Sequence, residues 1–245
     1  MHPAPYHQED DPAKLEAHLG VYSFATLCMA GEDRLLVAQV PVVLRRMPDG
    51  LALDFHLAKR NAMAPFLVAG ARAVALSAGP HAYVSPDWLA GADEVPTWNY
   101  VSVEAEGPLT LLGAAELVVL LDDLSAQEEA RLAPKTPWTR DKMSPQRFER
   151  MTGAIVGARL HVERLEGASK LSQNKSAADR AAIAAALGDH PIAALVAATN
   201  PDDLAGELDL KAPSPQVPRG SDGWAVAVSA RRSRKVRAPR RHGGG

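Results

Sequence analysis

The sequence predicts a mainly β fold with added helices (α+β), a small antiparallel β-barrel decorated by peripheral helices. Short turns separate the first apolar, strand-like segments, which favours an antiparallel meander, because parallel strands need long crossover connections. Helical patterns interrupt the later strands, so that about six strands and four helices are expected in all. Hydrophobic residues make up 47% of the 245 residues, enough to build a substantial core.

The predicted elements follow one another in a simple order. Asp11-Pro12 is typical of a helix start, with an aspartate cap and a proline in the first turn. Strands are then predicted over residues 21–29, 34–46 and 51–57, followed by a short helix over 61–68, a strand over 72–78, a loop over 79–95 and a strand over 97–112. Helices over 114–132 and 144–151 precede a last strand over 154–165, and Ser176 to Asp179 predict a capping box for a helix over 177–187.

The charges of the chain are segregated, although its formal net charge is only −2. Residues 211–245 hold nine Lys and Arg residues and one acid, whereas the other 210 residues hold 18 Lys and Arg and 28 Asp and Glu. We therefore divide the chain into a folded domain, residues 1–188, a segment with a helical pattern, residues 189–210, and a basic tail, residues 211–245. The tail is rich in Pro, Ser, Arg and Gly, a composition that predicts disorder.

Composition and motifs exclude several classes of protein. The single cysteine, Cys28, rules out an intramolecular disulfide and a multi-cysteine zinc site. The sequence shows no secretory signal and no apolar stretch of membrane-spanning length, so a cytoplasmic protein without a membrane segment is expected. No common nucleotide-loop, zinc-protease or serine-hydrolase motif occurs, and we assign no catalytic or metal-ligating residue.

Two kinds of polar segment stand between the apolar strands. His56-Leu57-Ala58-Lys59-Arg60-Asn61 lies where a strand meets a predicted helix, and such a helix start can bind an anion through free backbone N–H groups and cationic side chains. A merely solvated basic turn is the alternative. The segments Gly79–Trp88 and Val95–Tyr100 hold two of the four Trp and two of the four Tyr residues. They can either wall a planar heterocycle or pack as a hydrogen-bonded loop on the barrel rim.

These blocks are similar to those of a known family. Gly79-Pro-His-Ala-Tyr-Val-Ser-Pro-Asp-Trp88, Val95-Pro-Thr-Trp-Asn-Tyr100 and Lys170-Leu-Ser-Gln-Asn-Lys-Ser176 resemble, in order and spacing, the signature blocks of the PaiB-type family of FMN-binding negative transcriptional regulators. The resemblance covers residues 1–188 and implies an FMN-binding split barrel, FMN as the cofactor and a homodimer. By position, it implies that His56, Lys59, Arg60 and Asn61 lie at the flavin phosphate and that Trp98, Asn99 and Tyr100 lie beside the ring.

The third block has two interpretations. Its residues either cap the helix that begins after Ser176 or reach a ligand at the dimer interface. The further candidates for a ligand or interface contact are His81, Tyr83, Lys170, Gln173 and Asn174.

The resemblance implies cofactor-dependent regulation of transcription. A small flavin-dependent reductase or oxidase, or a haem-handling split-barrel protein, is the alternative. DNA is an expected partner, contacted directly or through the basic tail, whose arginines can neutralise phosphates. The tail can equally be a solvated extension, and the sequence contains no helix-turn-helix pattern.

Overall fold

The computed structural model describes residues 4–91 and 93–199 of the chain. The strands are β1 Gln8–Glu9, β2 Phe24–Ala30, β3 Leu35–Met47, β4 Gly50–Ala58, β5 Arg72–Val84, β6 Thr97–Leu111, β7 Ile155–His161 and β8 Arg164–Lys170. The α-helices are α1 Pro12–Val21, α2 Ala114–Ala130, α3 Pro145–Thr152, α4 Ala177–Leu187 and α5 Pro191–Ala198. The predicted basic tail, residues 211–245, and the last part of the predicted helical segment, residues 200–210, lie outside the described residues.

All eight strands belong to one antiparallel sheet in the order β1-β8-β6-β5-β2-β3-β4-β7. A further pairing between β6 and β7 closes six of them into a ring. Two long strands make this closure possible, because β3 passes from β2 to β4 near Pro41, and β6 pairs first with β8 and then with β7. The predicted antiparallel split β-barrel with peripheral helices is therefore confirmed.

The main hydrophobic core fills the barrel. Strand side chains alternate between the two faces of the sheet, so Leu53, Phe55 and Leu57 of β4 point inward while Asp54 points outward. Helix α2 covers part of the outer surface with Leu117, Leu120 and Leu124, which pack against Val43. A separate apolar cluster joins α4 and α5 to the end of β5; its buried members are Ala82, Val84, Leu171, Ile183, Ile192 and Val196.

The helix boundaries follow the predicted capping chemistry. The Asp11 side chain accepts a hydrogen bond from the Ala13 N–H at 2.9 Å at the start of α1. At the start of α4, the Ser176 hydroxyl accepts one from the Asp179 N–H at 3.0 Å. Both helix starts are confirmed.

The predicted helix over residues 61–68 is wrong, because only a single 3-10 turn, Ala64–Phe66, forms there. The Asn61 side chain accepts a hydrogen bond from the Met63 N–H at 2.9 Å, as at a helix start. Pro65 then has no N–H to continue the hydrogen bonds of a helix. Met63 and Leu67 are then buried in the barrel core, which directs this segment across the end of the barrel.

Two strand boundaries also differ from the prediction. Strand β5 continues past Ala78 to Val84 through a register shift, so the first aromatic block begins on a strand and not in a loop. The predicted last strand, residues 154–165, is two strands, β7 and β8, separated at Val162 and Glu163. The two amides there donate to different neighbours, Val162 to Leu51 and Glu163 to Glu106, both at 2.9 Å. At this point the chain changes its hydrogen-bonding partner from β4 to β6. Neither Val162 nor Glu163 is a Gly or Pro that would have indicated the break in the sequence.

Candidate functional site

A cationic turn, Lys59, Arg60 and Asn61, follows β4 directly. The Lys59 N–H donates to the Ala154 carbonyl at 2.9 Å, and the Asn61 N–H donates to the Ala58 carbonyl at 2.8 Å, so the backbone of the turn is held at both sides. Both cationic side chains are exposed, and neither has a carboxylate partner among the described residues. Because the predicted helix is absent, positive charge here comes from the side chains and not from a helix dipole. The turn suits a small, doubly charged anion such as a phosphate.

His56 lies on a different face from the cationic turn. It alternates with Phe55 and Leu57, so its ring points outward, and it is paired across the sheet with Gly157. A side chain at Gly157 would meet Leu117, which places α2 over this face. The Nδ1 atom of His56 is buried and has no hydrogen-bond partner among the described residues, and burial lowers the pKa of the ring. The imidazole is therefore neutral near pH 7.

Acid is expected to destabilise the fold through this histidine. The pKa of His56 is lowered from 6.5 in the fold, so below pH 6.5 the unfolded chain binds the proton more readily, and stability falls as the pH falls towards the folded pKa. Urea unfolding at about pH 7.5 and 5.5 should show a smaller acid loss in His56→Gln than in the unaltered protein. Part of the loss should remain, since burial also lowers the pKa of His18. The same substitution at the exposed His81 is the control, and an equal effect there would contradict this assignment.

An exposed aromatic face lies at the far end of β5 and β6. His81 is directly opposite Tyr100 and Tyr83 is directly opposite Trp98, so these four side chains share one face of the two strands. The Trp98 ring centre lies 6.0 Å from that of Tyr83 and 6.2 Å from that of His81. Trp98 is 54% exposed and Tyr83 47%, although aromatic rings of this size usually pack in the interior. This face can stack against a flat ligand.

Asn99 points the other way, into the protein. Its Oδ1 accepts a hydrogen bond from the Ser172 hydroxyl at 3.0 Å, and its Nδ2 is buried without a partner among the described residues. Asn99 therefore stands behind the aromatic face, while Trp98 and Tyr100 stand on it. The residue that fixes it, Ser172, carries a positive φ of 59° and was not singled out from the sequence.

The third predicted block closes against this end of the barrel. Lys170 of β8 is opposite Tyr100 of β6, and its ammonium donates to the Thr97 hydroxyl at 2.5 Å. Gln173 is buried, and its Oε1 accepts from the Leu171 N–H at 2.8 Å and lies 3.1 Å from His7 Nδ1. Asn174 is exposed, and the capping role predicted for this block belongs to Ser176. Gln173 thus anchors the loop to the N-terminal segment, a contact that the sequence did not indicate.

The cationic turn and the aromatic face do not meet within one chain. The Lys59 N–H bonds to Ala154, which precedes β7, and β7 runs beside the C-terminal end of β6 from Leu109 to Leu111. Trp98 is eleven residues from Leu109 along β6, which corresponds to about 36 Å of strand. The two groups therefore lie at opposite ends of the β5–β6 pair.

Other chemistry is sparse in the described part of the chain. No group of three or more His, Cys, Asp or Glu side chains there could hold a metal ion. No described helix is long and apolar enough to cross a membrane. A cleft of about 650 Å³ between α2 and α3, walled by Trp138 and Phe148, is remote in sequence from both groups of site residues.

The comparison with protein families decides the identity of the fold. The model of the family described as "Putative FMN-binding domain" matches residues 1–164. The chain belongs to this FMN-binding family. Its cofactor is a flavin, as the resemblance of the sequence blocks implied.

The chain is also similar in sequence to individual proteins. The chain is 30% identical over 157 residues to "Protease synthase and sporulation protein PAI 2" of Bacillus subtilis, covering 64% of this chain and 74% of that protein. It is 32% identical over 121 residues to an uncharacterized protein of Aspergillus fumigatus, covering 42% and 46% of the two chains.

A solved structure shows the same fold at low sequence identity. A conserved hypothetical protein of Mycobacterium tuberculosis matches with a TM-score of 0.50 and 13% identity, over 72% of this chain and 94% of that one. A FAD and heme binding protein of Mycobacterium smegmatis matches with a TM-score of 0.48 and 16% identity, over 67% and 73%.

The residues of this member of the FMN-binding family fit a flavin nucleotide. Lys59 and Arg60 are two exposed cations without carboxylate partners among the described residues, as a phosphate requires. The aromatic face provides exposed rings for a flat heterocycle, and the unpartnered Nδ2 of Asn99 lies directly behind it. These two groups are the candidates for contacts with the phosphate and the ring of the flavin.

Proposed function

We propose that the protein is a homodimeric, FMN-binding regulator of transcription. The observation that carries the homodimer is the separation of the two half-sites. Lys59 and Arg60 lie beside the C-terminal end of β6 and Trp98 lies at its N-terminal end, so we assign the two groups of one chain to different flavin sites. A second copy resolves this, because a twofold axis can place the cationic turn of one protomer beside the aromatic face of its partner and so create two equivalent sites.

An exposed apolar face supports the same proposal. The outer face of β2, β3 and β5 carries several exposed apolar side chains, with the hydrogen-bonded polar pair Thr26 and Gln39 among them. The strongly exposed members are Phe24 at 62%, Leu35 at 75%, Val37 at 62% and Leu76 at 36%. Apolar patches of this kind on a soluble protein usually mark an interface. Glu104, Glu106 and Arg164 border the patch and provide a polar rim.

The residues have separate tasks in this site. Bound FMN supplies the redox-active ring, which no side chain of the protein can replace. Lys59 and Arg60 of one protomer hold the phosphate. Trp98 and Tyr83 of the partner contact the ring face and exclude water from it, while Lys170 and Asn99 hold the aromatic strands in place.

An exchange experiment tests the shared site. Purified protein with added FMN should show a bound-flavin absorption band. This band should be weaker in the double variant Lys59→Gln with Arg60→Gln, and also in the single variant Trp98→Ala, when each is studied alone. Mixing the two variants under conditions that exchange protomers should restore binding in about one site in four, because each mixed dimer contains one intact combination. A site within one chain would give no restoration. A haem band in place of the flavin band would favour the alternative function.

DNA is the partner that we propose for the regulatory role. The basic tail provides nine cations and one acid over residues 211–245, enough for salt-dependent contact with phosphates. Binding of the full-length chain to duplex DNA across a salt series tests this part, and a slope near zero would remove DNA as a partner.

A further inference from the structure

Unpaired cations of the folded domain are concentrated on a few segments. Most described lysines and arginines are neutralised, for example Arg45 and Arg159 by Asp54, and Arg72 and Arg164 by Glu106. The exposed lysines and arginines that form no ion pair among the described residues are Arg34, Lys59, Arg60, Lys142, Arg147 and Arg150. The rest of the acidic domain therefore offers little free positive charge to a partner.

Two of these cations belong to α3, which reaches the cationic turn. The helix ends at Thr152, and two residues later the Ala154 carbonyl accepts the hydrogen bond from the Lys59 N–H at 2.9 Å. Arg147 and Arg150 are three residues apart, so they lie on one side of α3. None of the residues of α3 is buried, although a helix of a folded domain normally packs one face.

The segment before α3 adds one further cation that is unpaired among the described residues, Lys142. Residues 131–150 hold six Lys and Arg and two acids, Asp141 and Glu149, and three of these cations, Arg131, Lys135 and Arg140, are ion-paired to Glu128, Glu129 and Asp122. Glu149 is exposed beside the two arginines and has no cationic partner among the described residues. Around Arg34, on the β2–β3 turn, the acids Glu32 and Asp33 outweigh the single cation, so that turn is not basic.

We infer that α3, through Arg147 and Arg150, binds backbone phosphates of nucleic acid. The inference rests on the proposed function, in which DNA is a partner, and it locates a contact on the folded domain in addition to the tail. Two guanidinium groups on one exposed helix face match successive backbone phosphates, which bind Arg without reading sequence. The cationic turn is left for the flavin phosphate, so the two anions are held by different residues at the same end of the barrel.

A charge-matched pair of variants in the full-length protein tests this assignment. Arg147→Gln with Arg150→Gln removes two unpaired cations. Lys14→Gln with Arg46→Gln removes two exposed cations that are ion-paired to Glu9 and Glu16. Affinity for a duplex DNA is measured by fluorescence anisotropy over a range of salt concentrations, and FMN affinity is measured in parallel. The plot of log K against log salt has a negative slope, and its magnitude should be smaller by about 2 in the α3 variant. The control variant should keep the original slope.

The possible results separate this inference from the proposed function. Equal slopes for the α3 variant and the unaltered protein would overturn the inference alone. Absence of salt-dependent DNA binding in the unaltered protein would remove both the DNA partner and the inference. Polyglutamate is added as a competitor at the same concentration of charge as the DNA. If it displaces the DNA, the partner is an acidic protein, and the inference is overturned too. FMN affinity should be unchanged in both variants, and its loss in the α3 variant would reassign these arginines to the flavin.

Discussion

Replacing both Lys59 and Arg60 by glutamine is expected to weaken FMN binding roughly a hundredfold or more, since each charged hydrogen bond contributes about 1.5–3 kcal/mol. The reason lies in the turn itself. The two side chains are exposed, have no carboxylate partner among the described residues, and extend from a backbone fixed by the Ala154 and Ala58 carbonyls. Their removal leaves the phosphate without its cations and leaves the fold intact.

Riboflavin, which lacks the phosphate, makes this measurement specific. Flavin fluorescence titrations with FMN and riboflavin give the contribution of the phosphate in the unaltered protein and in the double variant. The preference for FMN over riboflavin should disappear in the variant, while riboflavin affinity should stay nearly constant. Arg147→Gln with Arg150→Gln is the control of equal charge on α3. A variant that kept its preference for FMN would show that the phosphate is held elsewhere.

Replacing Asp54 by alanine is expected to lower the free energy of unfolding by about 3–5 kcal/mol, the usual effect of removing one member of a buried ion pair. Asp54 is only 1% exposed on the outer face of β4. Its carboxylate accepts hydrogen bonds from Arg45 Nε at 2.9 Å, from Arg159 Nε at 2.7 Å and from Arg159 Nη2 at 2.9 Å. Without Asp54, two partly buried guanidinium groups face each other across β4 with no charge between them.

Urea unfolding of Asp54→Ala and Asp123→Ala compares a buried and an exposed carboxylate of the same network. Asp123 lies on α2 and pairs with Arg45 at 2.5 Å, but its side chain is 42% exposed. Its removal should lower the free energy of unfolding by less than about 1 kcal/mol, because water screens an exposed pair. Equal effects of the two substitutions would contradict a buried role for Asp54.

Local sequence signals predicted most of the fold, and they failed where distant contacts decide. The caps at Asp11 and Ser176 act within three residues, so they could be read directly. The segment after Asn61 forms only a 3-10 turn, because Pro65 cannot continue the hydrogen bonds of a helix. The break between β7 and β8 is set by partners more than fifty residues away, Leu51 and Glu106, and carries no turn residue.

The same division applies to the candidate site. The residue types of the cationic turn and of the aromatic block are enough to indicate an anion site and a flat ligand. Their alternation on the strands separates Asn99 from Trp98 and Tyr100, which follows once the register of β5 and β6 is known. The buried contacts of Gln173 and Ser172 could not be predicted, because their partners, His7 and Asn99, are distant in the chain.

The antiparallel barrel class, the flavin-family blocks and the contrast between an acidic domain and a basic tail all follow from the amino-acid sequence alone. They rest on periodicity, turn residues and charge, which are properties of short stretches of chain. The placement of the cationic turn and the aromatic face at opposite ends of β5 and β6, and of unpaired arginines on α3 beside the turn, required the folded domain. Such placements depend on strand register and barrel closure, which arise from the packing of the whole domain and from no single segment.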